Sequence, residues 1–312
     1  MKNKFLKKAA ALTAVMCLLP GLTGCVDQHP EQTQPSSAET QPTEVSRRLI
    51  ATSSATMEIC DRLGLDLVAT CDTAGQIPER YQGLPEVGTA MAPDAEKIIM
   101  QDPTDVIGPD TLAESVQAKY DAAGIPYTFI DLQSVEGMYE SIAMLGEKYG
   151  VQQAADALVS EYERIMADFR EKIRDEESPR VLVLMGLPGA YIECTPNSYA
   201  GSMVELAGGK NVVQDDLLNF VSWNTEQLLE LDPDVILLTA HGLPDAAMSM
   251  FEKEFSTNDI WKHFRAVREK RVYRLDFDLF NMSATFDWPQ ALEEMRKILY
   301  EDGYESCLPE TD

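Results

Sequence analysis

The sequence predicts two α/β lobes, each a doubly wound sheet, joined by a single long helix with a ligand cleft between them. Three observations carry that prediction. Short β-rich runs alternate with helical patterns over residues 49–150, which implies a mostly parallel sheet with helices on both faces. The same plan returns after residue 178, led by Arg180–Met185 (RVLVLM), an almost continuous apolar run of the kind buried on both faces. Between them, Val151, Ala154, Ala155, Leu158, Val159, Tyr162, Ile165, Met166, Phe169 and Ile173 fall in steps of three and four. That stripe marks one amphipathic helix of about 25 residues, or roughly 37 Å, stopped by Asp175-Glu176-Glu177-Ser178-Pro179. A coiled-coil partner helix is the competing reading. A rigid spine fixing the spacing of two similar lobes accounts better for its position.

In the first half, strands are expected at 49–52, 66–70, 105–108 and 127–132. Helices are expected at 54–63, 95–100 and 112–123, the last ended by Gly124. In the second half, strands are expected at 180–185, 191–195, 234–239 and 271–275, and helices at 199–207, 225–230, 244–255 and 288–300. The domain plan is therefore a leader at 1–24, a lipidated Cys and tether at 25–48, a first lobe at 49–150, the spine at 151–177 and a second lobe at 178–312.

The leader has four lysines, an apolar run from Ala9 to Leu19 and then Leu22-Thr23-Gly24-Cys25. The run is too short for the roughly 20 residues of a spanning helix; basic, apolar and small segments in that order make a secretory signal. Small residues directly before Cys form a bacterial lipobox, with Cys25 as the lipidated residue; an ordinary signal with an incidental Cys is the alternative. Residues 26–48, rich in Gln, Thr, Ser, Pro and Glu, cannot bury a core and form a leash. His29 lies in it. These features put the body at the outer face of a cell membrane, lipid-anchored.

The chain carries 26 basic and 52 acidic residues, a net charge of −26, and four of the lysines leave with the leader. Such a surface excludes nucleic acid and anionic membranes as partners. Cys60, Cys71, Cys194 and Cys307 remain in the body. A Cys60–Cys71 disulfide fits an oxidising compartment, and no CxxC pair supports a thiolate metal site. No nucleophile–base–acid set, phosphate loop or HExxH appears, so an enzyme is not expected.

Several stretches carry a resemblance: MGLPGAYI (185–192), NSYAGSMVELAGGKNV (197–212), TAHGLPD (239–245), KEFSTNDIWKHFRAV (253–267) and NMSATFDWP (281–289). With VGTAMAPDAEKI (87–98) and the spine, they are similar to ABC-importer substrate-binding lipoproteins for siderophores, cobalamin and haem. Within these the chain most resembles the haem receptors of the Gram-positive iron-regulated surface determinant system. The resemblance implies haem as transported ligand, an ABC permease as partner, a monomer, and iron held by one Met and one His. The matching positions are Met91, in Gly88-Thr89-Ala90-Met91-Ala92-Pro93, and His241, in Thr239-Ala240-His241. Thioether and imidazole are sound axial ligands, and a strand end is the usual ligand-facing edge of such sheets.

Alone among 14 methionines, Met91 would read as core filler. The other body histidine, His263 in IWKHF, reads as a packing residue. Candidate porphyrin walls are Tyr191, Tyr199, Met203, Leu243, Met282 and Phe286, each of which could equally be core. The propionates would meet helix N-termini at the Thr52–Thr56 turn, including Ser53 and Ser54, and near Ser198. The resemblance also implies one permease-docking glutamate per lobe, Glu96 and Glu226. Solvated helix-start glutamates are the alternative. A siderophore or cobalamin on the same scaffold is the rival ligand. A siderophore site wants an arginine cluster that is not evident, and a zinc or manganese site wants more His ligands than this chain has.

Overall fold

The alternation of strand and helix is realised in a computed structural model that describes residues 47–73, 75–301, 303–304 and 306–307. The leader, Cys25, His29 and the tether as far as residue 46 lie outside the described residues. Arg48, expected at the end of the tether, instead belongs to the first lobe, bonded to Gln101, Asp102 and Thr104. The first lobe comprises β1 (Leu49–Ala51), α1 (Ser54–Arg62), β2 (Leu67–Asp72), β3 (Glu86–Thr89), β4 (Ala92–Pro93), α2 (Ala95–Met100), β5 (Asp105–Pro109), α3 (Ala113–Ala123), β6 (Tyr127–Ile130) and α4 (Val135–Tyr149). Then comes the linking helix α5 (Gln152–Lys172). The second lobe comprises β7 (Arg180–Leu187), β8 (Ala190–Cys194), α6 (Tyr199–Leu206), β9 (Lys210–Asn211), β10 (Phe220–Val221), α7 (Thr225–Glu230), β11 (Val235–Ala240), α8 (Pro244–Thr257), α9 (Arg265–Arg268), β12 (Val272–Arg274) and α10 (Trp288–Tyr300).

The first sheet runs β4-β3-β2-β1-β5-β6, parallel except for β4. The second runs β10-β8-β7-β11-β12, with β9 beside the start of β7. Here β8 is antiparallel to both its neighbours, so this sheet is more mixed than the first. In β7, Val181, Val183 and Met185 face one apolar cluster while Leu182 and Leu184 face another. Burial on both faces explains the unbroken apolar run.

The spine is 21 residues long, not about 25. Gly150, with φ 64°, closes α4 and leaves Val151 outside helical geometry at the start. At the other end Ile173 is the last apolar residue of the stripe, and the acidic run beyond it has nothing to bury. Helix α4 was not expected, because Gly137 and Gly146 interrupt its apolar pattern. Gly146 is there for close approach: a Cβ on it would lie 2.4 Å from the Ala155 Cβ of α5.

One contiguous core runs from the first lobe through α5 into the second. On the spine side the lobes are tied together. Tyr139 stacks on Tyr162 at 4.5 Å, the Trp288 indole N–H donates to the Tyr139 hydroxyl at 3.1 Å, and the Ala284 N–H donates to the Leu132 carbonyl at 2.7 Å. Cys60 and Cys71, whose pairing the sequence leaves open, are buried free thiols. Burial pushes them up to about 12 and about 11, so they stay protonated and inert.

Candidate functional site

The C-terminal ends of the parallel strands are where open α/β sheets bind ligands, and in both lobes these ends border a shared cleft. A cavity of about 200 Å³ lies between the lobes there. Thr111 and Gln133 line it from the first lobe, and Met185, Tyr199, Phe220 and Met282 from the second. It is smaller than the roughly 300–1,000 Å³ of ordinary ligand pockets. Gln133 bridges the lobes here. Its amide donates to Asp110 at 3.1 Å, its side-chain oxygen accepts from Asn219, and its backbone carbonyl accepts from Ser202. Burial, and then the neighbouring Asp131 charge, raises the Asp110 carboxyl above its ordinary range.

Met91 and His241 lie on the other side of the central strands β1 and β7 from this cavity. Met91 occupies the tip of the β3–β4 hairpin and is 68% exposed. The hairpin depends on Gly88 at φ 95°, where a Cβ would lie 2.7 Å from the Ala92 carbonyl oxygen. His241 directly follows β11, with its side chain exposed and its N–H donating to the Gly186 carbonyl at 3.0 Å. The Thr239 hydroxyl donates to the Phe280 carbonyl at 2.8 Å and anchors this strand end to the loop bearing Met282. Beyond His241, Gly242 and Leu243 both take left-handed backbone (φ 69° and 46°). For a branched residue this is strained, and it leaves the Leu243 side chain 70% exposed.

The other expected residues divide. Tyr199 and Met282 line the cavity, and the buried Tyr199 hydroxyl has no hydrogen-bond partner among the described residues. Met203 is fully buried in the shared core. Phe286 lies under the Arg62 guanidinium at 4.7 Å and edge-on to Tyr139, in the packing between the lobes. Tyr191 packs against Phe251 and Trp261 with its hydroxyl 3.3 Å from Thr225, away from the cavity. Its pairing with Gly186 turns it to the face opposite Met185. Ser53 caps α1, its hydroxyl accepting from the Thr56 N–H, and Ser54 bonds Thr73. His263 is exposed in a 3₁₀ turn, while Trp261 and Phe264 beside it do the packing. Sequence reasoning missed Met185, Gln133, Asn219 and Phe220.

Glu96 and Glu226 are exposed, each the second residue of a six-residue helix, α2 and α7. Asp94 and Asn224 cap those helices by accepting from backbone N–H groups of the first turn.

A larger hollow of about 950 Å³ lies where α5 meets the base of the second lobe. Asp175, Glu176, Glu177, Glu269 and Glu301 rim it, at the opposite strand ends from His241. Lys270 and Arg271 line it beside these carboxylates. Among the described residues no helix is long and apolar enough to cross a membrane.

Comparison with known proteins agrees with this architecture. The high-affinity heme uptake system protein IsdE of Staphylococcus aureus (strain bovine RF122 / ET3-1) is 33% identical over 292 residues, covering 93% of this chain and 97% of the relative. A crystal structure of an ABC transporter substrate-binding protein from Listeria monocytogenes EGD-e superposes with a TM-score of 0.78 at 39% identity, over 82% of this chain and 99% of that one. S. aureus IsdE complexed with heme gives 0.76 at 34% identity, over 81% and 99%. The model of a family of periplasmic binding proteins matches residues 49–279, and with these relatives it makes the chain a member of the periplasmic binding protein family.

Proposed function

We propose that this protein captures haem outside the cytoplasmic membrane and delivers it to an ABC permease for iron acquisition. The carrying observation is the pair Met91 and His241: one thioether and one imidazole, one in each lobe, both exposed at C-terminal strand ends. The relatives named for haem uptake support the same ligand. In this reading His241 is the stronger ligand and Met91 closes the sixth position, the soft thioether favouring ferrous iron. Residues 49–150 and 178–312 act as the two jaws, joined by the spine Gln152–Lys172. Tyr199 and Met282 at the cavity and the exposed Leu243 contribute apolar surface to the porphyrin, while Met203, Phe286 and Tyr191 serve the packing behind it. At the start of α1, Ser54 offers its N–H group to a propionate, beside Ser53, whose own N–H is given to Thr56. Cys25 carries the lipid that keeps the monomeric receptor at the membrane, where Glu96 and Glu226 dock onto the permease.

Absorption titration of the soluble body with haemin tests the reading. A saturable, intense Soret band is expected. His241→Ala should abolish most binding, whereas Met91→Ala should bind but lose the six-coordinate low-spin spectrum. Unchanged spectra in both variants would remove the ligand assignment.

A further inference from the structure

The strand-and-helix unit that carries each glutamate is built twice, and corresponding arginine hydrogen bonds close it in each lobe. Residues 94–105 and 224–235 correspond without a gap. Asp94 and Asn224 are the caps, α2 and α7 have six residues each, and Ile98 and Leu228 are the buried anchors. Asp102 and Asp232 both take left-handed backbone, φ 47° and 42°, ahead of Pro103 and Pro233. Among the described residues only four non-glycine positions have positive φ, and this unit holds two of them.

Helices this short leave most of their last carbonyls without a helical partner and gain little stability of their own. In each lobe an arginine at the head of the central strand supplies the missing donors. Arg48, just before β1, donates from Nε to the carbonyls of Gln101 and Asp102, both at 2.9 Å, and from Nη2 to Gln101 at 2.5 Å. Arg180, the first residue of β7, donates from Nη2 to Leu231 at 2.5 Å and from Nε to Asp232 at 3.4 Å. These are the same two carbonyls in each unit. The backbone agrees. The Arg48 N–H donates to Thr104 Oγ1 at 2.9 Å and the Arg180 N–H to Asp234 Oδ2 at 2.7 Å, and the Thr104 and Asp234 N–H groups return bonds to the arginine carbonyls.

We propose that Arg48 and Arg180 are positioning residues for permease docking. They lock α2 and α7 to the central strands β1 and β7, and so fix where Glu96 and Glu226 stand. The proposal rests on the docking reading of those glutamates. The guanidinium also complements the negative end of the helix dipole. The second unit is reinforced by Arg265, which reaches the Asp232 carbonyl at 3.3 Å and the Asp234 carboxylate at 2.5 Å. The first unit has no such second arginine among the described residues, so Arg48 should matter more than Arg180.

The test is a double-mutant cycle in the full-length chain, expressed in cells lacking their own copy. The readouts are haem uptake and, on purified protein, the haem spectrum and affinity. Arg48→Gln is expected to lower uptake roughly tenfold, as loss of a docking charge would, with spectrum and affinity unchanged. Arg180→Gln should do so less. Added to Glu96→Gln, Arg48→Gln should cause no further loss, because it acts through that carboxylate. Fully additive losses would mean a general structural role and overturn the proposal. Uptake impaired by Glu96→Gln and Glu226→Gln but normal in both arginine variants would overturn it while leaving docking intact. Normal uptake in the glutamate variants themselves would remove docking and this proposal together. If Arg48→Gln fails to accumulate, Arg48→Lys, which keeps the charge but cannot span both carbonyls, replaces it in the cycle.

Discussion

Glu193 is the residue least expected from the sequence. It sits on β8, fully buried, with Oε2 accepting from the Trp223 N–H at 2.9 Å and Oε1 without a partner among the described residues. Loss of hydration raises its carboxyl to about 7. An acid whose folded-state pKa is raised binds its proton more tightly in the native state. Its contribution to stability is therefore full below the unfolded value near 4.5 and declines as pH rises to about 7. Glu193→Gln should raise stability above pH 7 by about 1–3 kcal/mol and flatten that part of the profile, checked by urea unfolding of both proteins between pH 4 and 8. An equal pH slope in the variant would assign the titration to another group. The same difficulty applies to the side chains proposed to wall the ligand. Met91 and His241 can be singled out as candidates because each stands at a punctuated position, a Gly–Pro turn or a strand end. Met185 and Tyr191 sit within strands, where a single step of register decides the face. That register comes from the partner strand: Met185 pairs with Ile192 and Gly186 with Tyr191.

At the scale of elements, most of the fold was readable because caps and periodicity coincide. Helices α2, α7 and α10 fall on the expected residues, and Gly124 ends α3 in left-handed geometry. Helix α4 escaped because two glycines break its stripe. Its signals were the cap Ser134, whose hydroxyl accepts from the Gly137 N–H, and the terminal Gly150. The 2-residue strands β4, β9 and β10 are too short to leave a sequence pattern. The paired helices α2 and α7 support a prediction of their own. Reversing charge at both Glu96 and Glu226 would set like charges against a basic docking surface. Haem spectra should stay normal while uptake by whole cells falls. Full uptake in that double variant would reject the docking role.

At the scale of the whole body, the decisive feature among the described residues is the absence of a loose joint between the lobes. Helix α5 contains no Gly or Pro, the usual kink points, and the lobes are further tied through Tyr139, Tyr162 and Trp288. Haem-free and haem-bound forms should therefore have nearly the same radius of gyration by small-angle scattering, with changes confined to the loops around Met91 and His241. A clear contraction on adding haemin would mean that the lobes hinge elsewhere. The same continuity has a thermodynamic side. Because the core passes from one lobe through α5 into the other, unfolding either lobe would strip apolar partners from its neighbour and strand them in water. The two lobes should melt as one cooperative unit, giving a single calorimetric transition whose van't Hoff and calorimetric enthalpies agree. A lobe cut free at 173–179 would carry half a core on its surface and associate rather than fold alone.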